Sequence, residues 1–237
     1  MGKINTIMLV SAISCLVAAV SFMLPWATAH FGETTEARTI YGTTVVITLE
    51  PYSASITGFG TGGADASGTG TVSGVPYTFD VHVDMEFTHN LGFVGIAGFA
   101  TSVVAFVLLL VASLVGSPHV GRRVGYAALA FMAIGLGLGL SYVGVLWAGL
   151  GRISGEAEVE VSVPGYPALT VESDVEAPLS EFLEEADALY PGYGLILAIV
   201  MWAVSVACFV KGMRAMTPAP PPGAAIWARG EEVPGSA

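Results

Sequence analysis

An alternating segment between Thr78 and Thr88 carries the residues with the most potential for binding chemistry. Its polar side consists of Asp80, His82, Asp84 and Glu86, and its apolar side of Phe79, Val81, Val83, Met85 and Phe87. Residues two apart on a strand project from one face, so three carboxylates and an imidazole could converge on calcium, zinc or manganese. The same alternation is typical of a half-exposed strand with a solvated face. Because no calcium-loop motif accompanies it, we expect the solvated face and no bound metal.

A second acidic row lies later in the chain, where Glu156, Glu158 and Glu160 alternate with Ala157, Val159 and Val161. If both rows belong to one sheet, like charges on neighbouring strands repel each other. A cation would relieve that repulsion, which keeps the metal interpretation open as an alternative.

Motifs of catalysis are missing from the sequence. It contains no HExxH, no P-loop, no GxSxG and no cysteine pair with redox spacing. The long apolar runs carry no ionisable residue that would mark a proton or ion path through a membrane. We therefore expect no enzyme activity, no catalytic residue and no cofactor.

The elements that must position the acidic rows are dominated by apolar helices. The chain of 237 residues is 54% hydrophobic and only 11% charged, against about 25% charged residues in soluble domains. A membrane-spanning helix needs about 20 apolar residues. Four runs meet this length, and they cover about residues 7–26, 91–115, 124–150 and 192–210.

Basic residues set the expected orientation of these spans. Lys3, Arg122, Arg123, Lys211, Arg214 and Arg229 lie near the termini or in the short central turn, and the two long loops hold nearly all the acids. Basic residues mark the cytoplasmic side, so we expect a multi-pass protein of the cell membrane with both termini cytoplasmic. The run Ala27-Thr28-Ala29 also resembles a signal-peptidase site, but the apolar run before it is long, and we expect it to be retained as a span.

The resulting organisation has eight parts. We assign 1–27 to the first span, 28–90 to an extracellular strand-rich loop, 91–116 to the second span, 117–123 to a cytoplasmic turn, 124–150 to the third span, 151–190 to an extracellular loop with a strand and a short helix, 191–212 to the fourth span and 213–237 to a disordered cytoplasmic tail. Within the first loop, the glycine-rich stretch GFGTGGADASGTGTVSG is predicted as a flexible turn or hairpin connection, because glycine disfavours strand interiors.

Small residues spaced four apart recur in the spans. The predicted helix-packing residues are Ser11 and Cys15 in the first span, Ala97 and Thr101 in the second, and Gly135 and Gly139 in the third. Such seams let helix backbones approach closely in lipid. The glycine-rich third span could additionally pair with another subunit.

The order of spans and loops resembles the claudin and peripheral-myelin-protein-like four-span family. The likeness covers about residues 1–215 and is one of topology, since Trp26 stands without that family's Gly-Leu-Trp motif and its cysteine pair. The resemblance implies an extracellular sheet that stands on a left-handed bundle and mediates contacts. We therefore expect a mainly α membrane protein: a four-helix transmembrane bundle with a small extracellular antiparallel β-sheet built from both outer loops.

Three functions follow as hypotheses. The first is a non-enzymatic integral membrane protein whose acidic sheet contacts a protein or a surface, as in adhesion or scaffolding. The second is an accessory subunit of a larger membrane enzyme or transporter complex, and the third is an extracellular divalent-metal sensor. The expected partners are the lipid bilayer and either a protein partner or further copies of the chain, with no nucleic acid.

Overall fold

The computed structural model describes residues 5–87, 90–115 and 117–215. The predicted tail lies outside the described residues from position 216 onward. The described part contains five α-helices: α1 Thr6–Val20, α2 Asn90–Leu114, α3 Pro118–Trp147, α4 Leu179–Glu185 and α5 Tyr193–Ala215. A short 3₁₀ turn, Ser21–Met23, extends α1. Residues 118–123, predicted as a turn, form the first turns of α3.

Four of the helices are long and apolar enough to cross a membrane, which confirms the four predicted apolar spans to that extent. In the bundle, α1 packs between α2 and α5, and α2 packs on α3. The end of α1 and the start of α2 meet the sheet at one end of the bundle, as do the end of α3 and the start of α5. At the opposite end, the Asn5 side chain donates to the Gly212 carbonyl at 3.4 Å, which ties α1 to α5.

The remaining structure is one large antiparallel sheet of nine strands. Its strands are β1 Pro25–Phe31, β2 Thr34–Ile40, β3 Thr43–Leu49, β4 Tyr52–Thr57, β5 Thr61–Val72, β6 Val75–Phe87, β7 Arg152–Ser162, β8 Leu169–Pro178 and β9 Ala188–Pro191. The main order is β8-β7-β6-β5-β4-β1-β9. The half of β5 far from the bundle pairs with β3 instead of β4, and β2 continues the sheet beyond β3.

The predicted fold class, mainly α with a small loop sheet, is wrong. Strands make up 37% of the structure, and the sheet includes strands next to the N-terminal helix. Residues 25–27, which were assigned to the first span, start β1. The largest single cause of the error is the glycine-rich stretch, whose residues 61–72 form the twelve-residue strand β5 rather than a flexible connection.

Glycines are compatible with β5 because neighbouring groups occupy the space where side chains would be. A Cβ atom at Gly68 would collide with the ring of Phe79 and with the Thr48 carbonyl, and one at Gly70 would collide with the ring of Tyr77. The aromatic rings of β6 thus cover the glycines of β5, as cross-strand pairs do when one partner lacks a side chain.

The sheet is joined to the bundle by a shared apolar core. The rings of Trp26 and Phe22 contact each other with centroids 4.5 Å apart and a tilt of 40°, and Tyr142 of α3 donates its hydroxyl to the Thr57 carbonyl at 2.6 Å. The short helix α4 packs on the apolar side of the sheet, where Phe182 contacts Phe31 edge to face at 5.0 Å. The opposite face of the sheet is left free to carry polar groups.

Candidate functional site

The pairing of β5 to β8 places ten carboxylates on one face of four adjacent strands. We call this surface the acidic face, and its carboxylates are Asp65, Asp80, Asp84, Glu86, Glu156, Glu158, Glu160, Glu172, Asp174 and Glu176. The strands are in register, so the acids form rows across the sheet. One row runs Asp84, Glu156, Asp174, and the next runs Asp65, His82, Glu158, Glu172. The two predicted rows are therefore side by side.

The acidic face is open to solvent. The side chain of Asp65 is 88% exposed and that of Asp84 is 81% exposed. Directly opposed side chains on neighbouring strands have Cβ atoms about 5 Å apart, so Glu156 lies within unfavourable range of both Asp84 and Asp174. Solvent and salt screen this repulsion, but the face keeps a strong negative potential.

His82 lies in the middle of the acidic face. Its Nδ1 is 2.5 Å from Oδ1 of Asp65, and its Nε2 is 3.6 Å from Oδ1 of Asp84. The hydrogen bond with Asp65 and the charge of that carboxylate raise the pKa of His82 above its usual value, with smaller contributions from Asp84 and Glu158. A protonated His82 would offset part of the negative charge of two rows.

The cationic side chain of Arg152 lies at the bundle end of the same face. Nε of Arg152 is 3.3 Å from Oε1 of Glu176, and both side chains are more than half exposed. An exposed pair of this kind contributes little to stability. The pair does offset the charge of Glu176 at that end, so the uncompensated negative charge of the acidic face lies mainly on the central rows.

The metal-ligand candidates lie together on the face without forming a ligand cage. Asp80, His82, Asp84 and Glu86 alternate along β6, and each is opposite a residue of β7. Within the described ranges, no group of three or more His, Cys, Asp or Glu side chains is arranged to hold a metal ion. The carboxylates are spread along the strand rather than gathered at one point. They therefore produce a negative potential over a wide area.

Four members of the face were not identified from the sequence. Asp65 lies in the glycine-rich stretch that forms β5, and Glu172, Asp174 and Glu176 lie on β8. A signal for the last three exists in the alternation of TVESDVE, in which acids occupy every second position from Glu172. No local signal identifies Asp65, because small residues surround it on both sides.

Five of the predicted helix-packing residues lie at contacts between helices: Ser11, Cys15, Thr101, Gly135 and Gly139. Ser11 of α1 donates to the Ser205 carbonyl of α5 at 2.7 Å, and Cys15 donates to the Ser102 carbonyl of α2 at 3.5 Å. Thr101 donates to the Ala97 carbonyl at 2.9 Å, within α2.

The two glycines of α3 also face neighbouring helices. A Cβ atom at Gly135 would lie 3.0 Å from Oγ1 of Thr101, and one at Gly139 would lie 2.8 Å from Cη2 of Trp202. Neither of these packing contacts brings a chemically reactive group to the acidic face.

Comparison of the chain with family models, with curated proteins and with solved structures finds no match.

Proposed function

We propose that this chain is a non-enzymatic integral membrane protein whose acidic face binds a positively charged surface of another protein. One observation carries the proposal: ten exposed carboxylates share one face of four strands, where Arg152 and, when protonated, His82 are the cationic partners among the described residues. A surface with one sign of charge draws oppositely charged partners and raises their rate of encounter. It also disfavours nucleic acid, whose phosphates carry the same sign.

The proposed orientation places the sheet outside the cell and both termini in the cytoplasm. Arg122, Arg123, Lys211 and Arg214 lie at the end of the bundle opposite the sheet, and basic residues favour the cytoplasmic side. The four apolar helices would place the chain in the cell membrane with lipid as its first partner. The resemblance to the claudin and peripheral-myelin-protein-like family stays a prediction.

Site-specific photo-crosslinking in native membranes tests the proposal. A photoreactive residue at Glu158, in the middle of the acidic face, should form an adduct with a protein partner. The yield of this adduct should fall as ionic strength rises from about 0.05 M to about 0.5 M, because salt screens the attraction between opposite charges. The matched control position is Ile134, which is 51% exposed on α3. Adducts at Ile134 without any at Glu158 would contradict a contact through the acidic face.

That control also tests a second candidate function, an accessory subunit held through its helices. One observation favours it: Gly137, Ser141 and Gly144 lie exposed on one side of α3, where added Cβ atoms at the two glycines would meet nothing within 4 Å. A row of small residues permits close approach of a further helix in lipid. A bulky Gly137→Leu substitution should then shrink the native complex in mild detergent, whereas it should leave an adduct at Glu158 unchanged.

A further inference from the structure

The two ends of the main strand order, β8 and β9, differ strongly in how they are protected, and the seven-residue β2 forms a third edge beyond β3. The β9 edge is four residues long and ends at Pro191. Strand β8 is ten residues long, and its only proline is its last residue, Pro178. It pairs with β7 without any register shift. Edge strands are normally shortened, bulged, covered or interrupted by proline, because their outward N–H and C=O groups can accept another strand. In the described part of the chain, no strand pairs with the outer edge of β8.

The two faces that border this edge have opposite chemistry. On one face of the sheet, β8 carries Glu172, Asp174 and Glu176, which are the carboxylates of the acidic face nearest this edge. On the other face, β8 carries Leu169, Val171 and Val175, residues that are 62%, 47% and 37% exposed. A strand added beside β8 would therefore place every second side chain among carboxylates and the others against an apolar surface.

We propose that the β8 edge binds an extended segment of a partner protein in which basic and apolar residues alternate, by adding it to the sheet as a further strand. The added strand takes main-chain hydrogen bonds from β8 and matches its two faces by charge and by apolar contact. The proposal rests on the proposed function for its electrostatic part and names the chemistry of the partner.

A second copy of the chain does not match this edge. If two β8 strands paired antiparallel about Ser173, Glu172 of one copy would lie opposite Asp174 of the other. Like charges directly opposite on neighbouring strands are destabilising. The same carboxylates that repel a second β8 strand attract lysine or arginine, so charge selects a basic partner over self-association.

The test uses an end-blocked, fluorescently labelled peptide of four Lys-Val repeats and the full-length protein in a neutral detergent. Anisotropy titration should show binding that weakens as salt is added. A block peptide of the same composition, with four lysines followed by four valines, should bind less tightly because it cannot match both faces at once.

N-methylation separates strand addition from simple charge attraction. All lysine N–H groups of the extended peptide point to one edge and all valine N–H groups to the other. Methylating the set that faces β8 should weaken binding by at least about tenfold, because several hydrogen bonds are lost. Methylating the other set should have far less effect. Equal effects of both sets would overturn strand addition while leaving the acidic-face function standing.

Charge-reversal variants locate the binding site. Glu172→Lys with Asp174→Lys on β8 should abolish peptide binding. Asp80→Lys with Asp84→Lys on β6 changes the net charge equally and should reduce binding much less, because β6 is separated from the edge by β7. Equal losses in the two variants, or no binding by any peptide, would overturn the proposal. The crosslink at Glu158 decides the proposed function independently of either result.

Discussion

Single residues determine how the acidic face responds to pH. His82 is the imidazole at its centre, and its hydrogen bond to Asp65 raises its pKa above the usual value. A group whose pKa is raised by folding stabilises the folded state below its unfolded pKa. That contribution is lost as the pH rises through the folded pKa, because the proton that attracts the carboxylates leaves.

We predict that the His82 pKa, measured by NMR titration of the full chain in detergent, lies above the usual histidine value of 6.5. Asp65→Asn should lower this pKa, since the substitution removes the carboxylate charge. The melting temperature of the wild type should fall as the pH rises from the usual histidine pKa through the raised pKa of His82, with a smaller fall in the variant. A His82 titration that Asp65→Asn leaves unchanged would contradict the pairing.

At the same scale, two glycines of α3 with the same local sequence have different surroundings. We predict that Gly139→Ala destabilises the bundle by about 1–3 kcal/mol, because the new methyl group would press on the buried ring of Trp202. Gly137→Ala should be neutral or slightly stabilising, since its Cβ meets nothing within 4 Å and alanine favours helix. Thermal unfolding in detergent compares the two variants, and equal melting temperatures would show that Gly139 is not at a tight contact.

Among the elements, β5 shows how a strand can consist largely of small residues. Its Gly68 lies under the ring of Phe79, whereas its Gly63 lies on the acidic face with its nearest neighbour, the Val83 carbonyl, 3.4 Å from an added Cβ. The strand is stable because β4, β3 and β6 supply hydrogen bonds and side chains on both sides.

We predict that Gly68→Ala destabilises the sheet by about 1–3 kcal/mol, because the ring of Phe79 and the Thr48 carbonyl must both move. Gly63→Ala on the same strand makes the same chemical change at ordinary contact distance and should cost less. Chemical denaturation followed by near-UV circular dichroism measures both. If Gly68→Ala melted like the wild type, the aromatic cover over β5 would not be tight.

The acid rows of β6 to β8 give a prediction on metal binding. Calcium, zinc and manganese at micromolar concentration should leave the melting temperature unchanged, because the carboxylates are spread along strands. The triple variant Asp80→Asn, Asp84→Asn, Glu86→Gln should be more stable than the wild type in the presence of EDTA, since like-charge repulsion is removed. A rise of several degrees with one ion, absent in the variant, would instead support the metal-sensor hypothesis.

The whole molecule consists of a sheet at one end of a bundle and a basic end opposite. Helix α1 belongs to the core of that bundle, where Met8, Ala12 and Cys15 are fully buried. Its removal after Ala29 would also take away the part of β1 that carries Trp26 and Ala27. Retention of the first span, rather than its cleavage as a signal, stays a prediction.

We predict that Tyr166→Cys, in the β7–β8 loop, reacts with a membrane-impermeant thiol reagent on intact cells. Ser117→Cys, exposed at the start of α3, should react only after permeabilisation, because it lies at the basic end. The wild type is the control, since Cys15 is buried and Cys208 lies within α5. The reverse labelling pattern would invert the proposed orientation.

Local sequence determined the features of this protein that depend on one segment at a time. Uninterrupted apolar length identified the four long helices, because a span is set by composition over about 20 residues. Strict alternation identified β6 and the acidic side of β7, since a period of two is a property of each strand by itself.

The tertiary structure decided what depends on partners. Glycine-rich β5 is a strand because β3, β4 and β6 pair with it and because Phe79 and Tyr77 of β6 cover Gly68 and Gly70. The sequence of β5 itself does not indicate these partners. The sequence also does not predict that Gly139 of α3 faces inward and Gly137 outward. Lipid and the bundle core are equally apolar, so no row of polar residues marks the outer side of the helix. The ten carboxylates became one face only when the registers of four strands aligned them, and register is a relation between strands that no single strand encodes.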